Sequence, residues 1–444
     1  MGNLGEGYLP LFSYDAIGKH APQLLMKNKD STSAINIDAK WERKLENNAI
    51  YQAPRRVLKH QNPTIFKVLN VFRDVEPGAY DPMIVSLGPY HHHQPRLQAS
   101  TNQLKRLLLN KLLEKGHEKS LRNYLILIKE NETKVRNTYS EPPIDICEEQ
   151  FVEMMLLDSV FVIMILWFWK NDGLEAIEDP IFRSGQRILI LLARDMLLVE
   201  NQLPFFLLEA LFDKAFPNRR GRLKTWISQF FSRFMGSEHT LLSNLDNVTV
   251  HHILHLLYSC IVPSNRSSND VVVEDLRLGW VSSATQLEAT RIKFKRKQKA
   301  MSFLDITFKT GVLEIPQIEI DDDSNIFFRN LIAFEQCQNN AICNDISSYV
   351  WFLSCIAETV ADVELLQRKA IIVNRLGSKK EVVKLFRKLC KEVVVDIQNC
   401  YISSVFKEIA RYQQMKYVVC RCTSQMRCFS KSLVMSLVCS LSLQ

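Results

Sequence analysis

The sequence predicts a mainly α protein, a large helical domain carrying a small β-element near residues 290–320. Three observations predict it. Apolar residues recur at helical spacing from Leu104 to Leu113 and run almost unbroken through Phe151 to Phe168 and Gln186 to Phe212. After the polar run Pro263 to Asp275 the period changes: Arg291 to Lys295, Ser302 to Phe308, Gly311 to Ile315 and Gln317 to Ile320 alternate or carry β-branched and aromatic residues. Helical spacing then returns from Ser324 onward. With 47% hydrophobic and 23% charged residues, a chain of 444 has enough apolar side chains for a full core.

Residues 1–48 are polar and read as a leader, 49–410 as one large domain, and 411–444 as a divergent basic tail containing cysteines. No basic start followed by an apolar run marks a signal peptide, and Glu6 stands where an N-myristoylation signal wants Ser or Thr. Met83 to Leu87 reads as a strand or extended segment between Pro82 and Gly88-Pro89. His91, His92 and His93 follow. Consecutive side chains on an extended segment point in opposite directions and do not converge on one ion, so a loop packed by Tyr90 and one histidine is expected. Ser159 to Trp169 is uncharged for eleven residues, short of the roughly 20 a membrane-spanning helix needs, and reads as a buried core helix. Trp226 to Phe234 and Val248 to Tyr258 are further helices. The second puts His251 and His255 one turn apart, as on a zinc-protease helix, but His252 occupies the general-base position. Pro263 to Asp275 is an exposed loop. Helices resume over Ser324 to Glu358, Val363 to Ile371 and Lys379 to Ile409, with Asp362 and Ser378 as N-caps.

The Gln186 to Phe212 stretch is the organising one. Its apolar run is interrupted by Glu200, Asn201 and Gln202, just before Pro204. Proline is excluded from helix interiors but tolerated in a first turn, and Asn201 is a good N-cap, so one helix is expected to end near Glu200 and a second to start by Pro204. Three polar side chains between two apolar helices must be hydrogen-bonded or they cost stability. The four residues read as a structural polar node and name no reaction.

Charge says more by place than by total. Lys plus Arg is 56 against 48 Asp plus Glu, and a net +8 over this length is no argument for nucleic acid. Arg291, Lys293, Lys295, Arg296, Lys297 and Lys299 put six cations into nine residues, alternating at first with Ile292 and Phe294. They read as an edge strand whose lysines deter pairing with other chains, or as a patch for anionic lipid or phosphate. Asp321, Asp322 and Asp323 read as a solvated acidic turn. The 11 cysteines are an odd number without a CxxC, which fits free thiols packed as small hydrophobes in a reducing compartment. Near the end, Cys420, Cys422 and Cys428 beside Arg421, Arg427 and Lys431 are candidates for palmitoylation at an anionic membrane, against the simpler reading of a degenerate tail.

Taken in order, short motifs resemble the plant family known as domain of unknown function 247, also called the UPF0481 group. They are Pro54-Arg55-Arg56-Val57-Leu58, Gly88-Pro89-Tyr90-His91, Met155-Leu156-Leu157-Asp158, the run Asp195 to Phe206, Ser283 to Leu287, Ile292 to Lys295, Phe303 to Ile306, Gly311 to Pro316 and Arg329 to Gln336. The resemblance implies a mostly helical domain, no established catalytic residues and, usually, a C-terminal transmembrane anchor. Some grass relatives are associated with pollen-side self-incompatibility recognition. Family members place an aromatic, Asn-Pro-Trp-containing segment before a long apolar span; here a Ser-Leu run of twelve residues, Ser432 to Leu443, stands instead. Without the usual anchor, both membrane association and a cytoplasmic location are compatible with the chain.

Two functions follow as expectations. One is a non-catalytic interaction or signalling protein near a membrane, with a protein partner, no cofactor and no nucleic acid. The other is a metal-assisted hydrolase using His91 to His93 or His251 to His255. The sequence has no Gly-rich phosphate loop and no G-x-S-x-G, which favours the first.

Overall fold

The longest apolar run forms a helix at the centre of the helical group. In the computed structural model Glu148–Lys170 is one helix, and every residue from Met154 to Leu166 is buried. A helix buried all round is a core helix, which explains its lack of a polar face. By length and composition it would also cross a membrane, yet here its flanks are covered by other helices of the domain. Glu148 and Glu149 in its first turn and Lys170 in its last complement the helix dipole.

The structure describes residues 63–184, 186–232, 248–262, 281–338, 344–396 and 400–415, all within one compact unit, Gln61–Gln444. The leader 1–48, the exposed loop at 263–275 and the tail from 416 lie outside the described residues. The helical part comprises α1 (Asn70–Val75), α2 (Pro95–Lys115), α3 (Leu121–Arg136), α4 (Glu148–Lys170), α5 (Gln186–Met196), α6 (Phe205–Ala215), α7 (Leu223–Ser232) and α8 (Ile253–Ile261). Helices α2, α3, α6 and α7 pack around α4. A second group follows α9 (Ala284–Ala289): α10 (Ser324–Cys337), α11 (Asp345–Ile356), α12 (Val360–Arg368), α13 (Lys379–Leu389) and a last helix over 403–415.

The β-element is mixed. Strands β1 (Lys293–Arg296), β2 (Thr307–Lys309) and β3 (Val312–Ile315) form a sheet in the order β1-β3-β2, with β1 parallel and β2 antiparallel to β3. The β2–β3 turn is Thr310-Gly311, both at positive φ, and a Cβ on Gly311 would stand 2.5 Å from the Tyr412 hydroxyl, so only glycine fits. β4 (Ile318–Ile320) leaves this sheet and pairs in parallel with β5 (Ile372–Asn374).

Several boundaries differ from the sequence reading, each for a local reason. The helices expected over Ser324 to Glu358 are α10, which ends at Cys337, and α11, which ends at Ile356. The one expected over Val363 to Ile371 starts earlier, because Thr359 is its N-cap; Asp362 sits at the third helical position and completes a capping box with Thr359. It also ends earlier, at Arg368, and Ala370 at positive φ turns the chain into β5. Ser378 does cap α13, accepting from the Lys380 amide. The helix expected to run on to Ile409 stops at Leu389, with Glu392 at positive φ beyond it. Met83 to Leu87 forms no strand: Met83 and Ile84 are bends, and Val85 to Leu87 has no regular structure.

Candidate functional site

The polar node is where an unpaired segment is held. Residues 83–88 cross the face of the helical group without a neighbouring strand, so their backbone groups need other partners. Asp195, at the end of α5, supplies three. Its carboxylate accepts from Met83 N at 3.0 Å, Ile84 N at 2.6 Å and Val85 N at 2.9 Å. Asn201 continues the ladder, accepting from Leu87 N at 2.7 Å and donating to the Val85 carbonyl at 3.0 Å. From the core, Asp158 accepts from Gly88 N at 2.8 Å and Lys105 donates to the Ser86 carbonyl at 2.7 Å. Lys105 and Asp158 are themselves a buried ion pair at 2.5 Å.

Side chains of this node also close the end of α5. Asn201 Nδ2 donates to the Asp195 carbonyl, and Gln202 Nε2 donates to those of Met196 and Leu198. Asp195 and Met196 belong to the last turn of α5, whose carbonyls have no partner further along the helix, and Leu198 to the stretch that follows it. Asn201 is therefore no N-cap of the second helix: α5 ends at Met196, short of Glu200, and Pro204 itself precedes α6, whose Phe205 amide donates to the His251 carbonyl. Gln202 Oε1 accepts from Leu254 N, tying α8 to the same point. Glu200, only 3% exposed, accepts from Val68 N at 2.7 Å and from Arg73 Nη2 at 2.6 Å, and His91 Nε2 lies 3.4 Å away. Burial alone would raise its pKa, but the contacts from His91, Val68 and Arg73 outweigh that and hold the carboxyl below its ordinary value. For Asp195 burial wins over the three amides, and its pKa lies above the ordinary value.

The histidines have local duties. His91 is buried, its Nδ1 2.9 Å from Gln94 Nε2; His92 is half-buried and His93 is exposed. His252 is the N-cap of α8, with Nδ1 accepting from the His255 amide, so His251 precedes the helix. His255 Nδ1 accepts from the His251 amide, and the His251 and His255 rings stack with centroids 4.8 Å apart. Burial holds His252 well below its ordinary pKa and lowers His255 to about 4. Against His252 and His255 packs Phe334, next to a buried acid. That acid, Glu335, accepts from Tyr258 Oη at 2.9 Å, Ile346 N and Ser347 N at 2.8 Å and Ser347 Oγ at 2.6 Å. Burial pushes its pKa up to about 7. Among the described residues, no group of three or more His, Cys, Asp or Glu side chains is placed to hold a metal ion.

A cavity of about 260 Å³ opens beside this region, between the end of α3, the start of α6 and residues 250–251. Phe206 and Val250 form its apolar wall, and Lys134, Asn137, Thr138 and His251 its polar rim. Lys134 Nζ sits 4.0 Å from the Phe206 ring centroid, a cation–π contact.

The comparisons with known proteins bear on these residues. The family model for domain of unknown function 247, described as a plant protein of unknown function, matches residues 65–443. A UPF0481 protein of Arabidopsis thaliana is 31% identical over 375 residues, covering 80% of this chain and 78% of the relative. The chain belongs to this plant family. A second Arabidopsis UPF0481 protein is 20% identical over 475 residues, covering 86% of this chain and 88% of its own length. No solved structure matches the chain.

In this UPF0481 chain four of the nine motifs quoted above meet in space. Gly88 to His91, Asp158, Asp195 to Gln202 and Asn330 all belong to the node; Asn330 accepts from Val199 N and donates to the Ala79 carbonyl. Sequence reasoning missed Lys105, Arg73, Asn330 and Glu335. Lys105 carried a signal, since a lysine shares the apolar stripe of α2 with Leu104, Leu108 and Leu112. The basic run is divided by the fold. Lys295 pairs with Glu314 at 2.7 Å and Lys297 with Asp305 at 2.6 Å, while Arg296 is half-buried beside the inner face, registered with Ile315. Arg291, Lys293 and Lys299 are exposed. Asp321 is more than a solvated turn: it accepts from the Ser324 amide and hydroxyl at the start of α10. The described cysteines are free, and burial raises the thiols of Cys260 and Cys355 to about 12, far from the thiolate a nucleophile needs. Cys420, Cys422 and Cys428 lie outside the described residues.

Proposed function

We propose that this UPF0481 chain is a non-catalytic interaction or signalling protein near a membrane, whose helical domain presents loops to a protein partner. One observation carries the reading. The acids and amides of the motifs that meet at the node, together with Lys105, point inward and are occupied by backbone groups of residues 83–88 and of helix ends. They position chain segments and have no free face toward solvent. The cavity fits the same reading, because about 260 Å³ is smaller than the roughly 300–1,000 Å³ of sites that enclose metabolites and suits a single inserted side chain. Recognition of the kind associated with the self-incompatibility relatives is a finer form of this function.

The alternative, a metal-assisted hydrolase, makes a measurable demand. Metal analysis of the purified full-length chain is expected to find no stoichiometric zinc; zinc at one per chain that disappears in His251→Ala would overturn the interaction reading. Fractionation of the tagged chain, with and without residues 416–444, tests the membrane part. Membrane recovery of the full chain supports it, and recovery wholly in the supernatant rejects it.

A further inference from the structure

We infer that the cavity between the end of α3 and the start of α6 receives a carboxylate side chain, a glutamate of the protein partner. The inference rests on the interaction function proposed above and names the chemistry of the inserted residue. Phe206 and Val250 give the cavity its apolar wall, and none of the residues that line it is acidic.

The cavity holds one cation without a counter-charge. Lys134 stands in the last turn of α3, and its contact with the face of the Phe206 ring keeps the ammonium at the wall. Among the described residues no carboxylate lies within ion-pair distance of it. Glu132, two positions earlier, is taken by Arg136. A lysine in a last turn also complements the helix dipole, but that duty asks nothing of the groups across the cavity.

Those groups are donors with nothing to donate to. The side chains of Thr64, Asn137 and His251 line the cavity and make no hydrogen bond among the described residues, whereas the Thr138 hydroxyl is spent on the Val135 carbonyl. The His251 ring stacks on that of His255, and partial burial lowers its pKa, so it is uncharged at neutral pH. It offers a ring N–H and adds no second charge.

Charge and shape together choose the occupant. One ammonium with three neutral donors balances the single charge of a carboxylate, not the nearly double charge of a phosphate. The apolar wall calls for methylenes behind that charge, which a glutamate side chain carries and a free inorganic anion lacks. An aromatic side chain would fit the volume of about 260 Å³ but would leave the donors unanswered, at a cost in affinity.

The test is titration of the full chain, labelled at its valine methyl groups, with acetyl-Gly-Glu-Gly-amide, the matching Gln and Phe peptides, and acetate. The Glu peptide is expected to shift the Val250 methyl signals saturably, with the millimolar affinity that one inserted side chain supports. The Gln and Phe peptides and Lys134→Gln should each weaken binding by about fivefold or more. Lys380→Gln, with the same loss of charge elsewhere on the surface, should change it less than twofold. Unchanged thermal unfolding of both variants checks that each is folded, and the peptide comparison on the unmodified chain needs no variant. Equal binding of the Glu and Gln peptides, tighter binding of the Phe peptide, equal weakening by the two variants, the same shifts with acetate, or no shift at all would overturn the assignment. A chain that carries no zinc and fractionates with membranes yet gives any of those results keeps the proposed function and loses only this site.

Discussion

Asp195 Oδ2 lies 2.6 Å from the backbone nitrogen of Ile84, a residue 111 positions earlier in the chain. One carboxylate thereby does for residues 83–85 what a neighbouring strand does elsewhere. Asp195→Ala should destabilise the domain by about 3–5 kcal/mol, because three amides lose a charged acceptor in a buried place. Asp195→Asn keeps one acceptor oxygen and should cost about half as much. Urea unfolding curves of the two variants check the order; equal midpoints to the unmodified chain would contradict it.

The buried pair of Lys105 and Asp158 makes a second claim. Lys105→Met leaves the Asp158 carboxylate without its counter-charge and is expected to cost about 3–5 kcal/mol. Adding Asp158→Asn should recover part of that loss, since Asn still accepts from Gly88 N while carrying no charge. A double variant no more stable than Lys105→Met in denaturant melts would show that the pair is not coupled.

Gly88 is the third. Its φ is +71°, and a Cβ there would stand 2.9 Å from the Tyr139 hydroxyl and 3.0 Å from the Gln202 carbonyl oxygen. Gly88→Ala should cost about 2–4 kcal/mol through backbone strain and crowding. Combining it with Tyr139→Phe should restore only a fraction, because the backbone oxygen of Gln202 does not move away. Full rescue of the melting temperature would locate the whole effect in Tyr139.

Two neighbouring groups give pH dependences of opposite sense. Glu335 has its pKa raised to about 7, so its contribution is fully present below the ordinary carboxyl value of 4.5 and is lost as pH rises through about 7. His255, lowered to about 4, contributes above its ordinary 6.5 and loses that contribution as pH falls toward 4. The stability of the unmodified chain relative to Glu335→Gln should therefore decline from pH 5 to pH 8, by on the order of 3 kcal/mol. Parallel stability profiles for the two proteins would contradict the shift.

The sequence made some of this legible and hid the rest for physical reasons. The core helix was legible because Ser159 to Trp169 has no polar side to turn to water. The small β-element showed in the alternation of Ile292 and Phe294 with lysines. Glu200, Asn201 and Gln202 stood out as polar groups inside an apolar run, but their partners did not. Val68, Leu87 and Leu254 contribute backbone amides, which carry no residue identity, and they lie 132, 114 and 52 positions away. β5 was hidden because Ile372 and Val373 extend a helical pattern, and the positive φ at Ala370 that ends the helix has no glycine to announce it. The end of α5 was misplaced because caps made by side chains from beyond a helix look, in sequence, like caps of the helix that follows.

Asn330 donates to the carbonyl of Ala79, 251 residues before it. A ribosome delivers the N-terminal side first, so the stretch around Ala79 must wait, with its polar backbone unanswered, until more than two hundred further residues have been made. Chaperone occupancy during synthesis should accordingly fall on this early stretch and end once α10 has emerged. A cut anywhere between Ala79 and Asn330 would, for the same reason, separate two partners that complete each other.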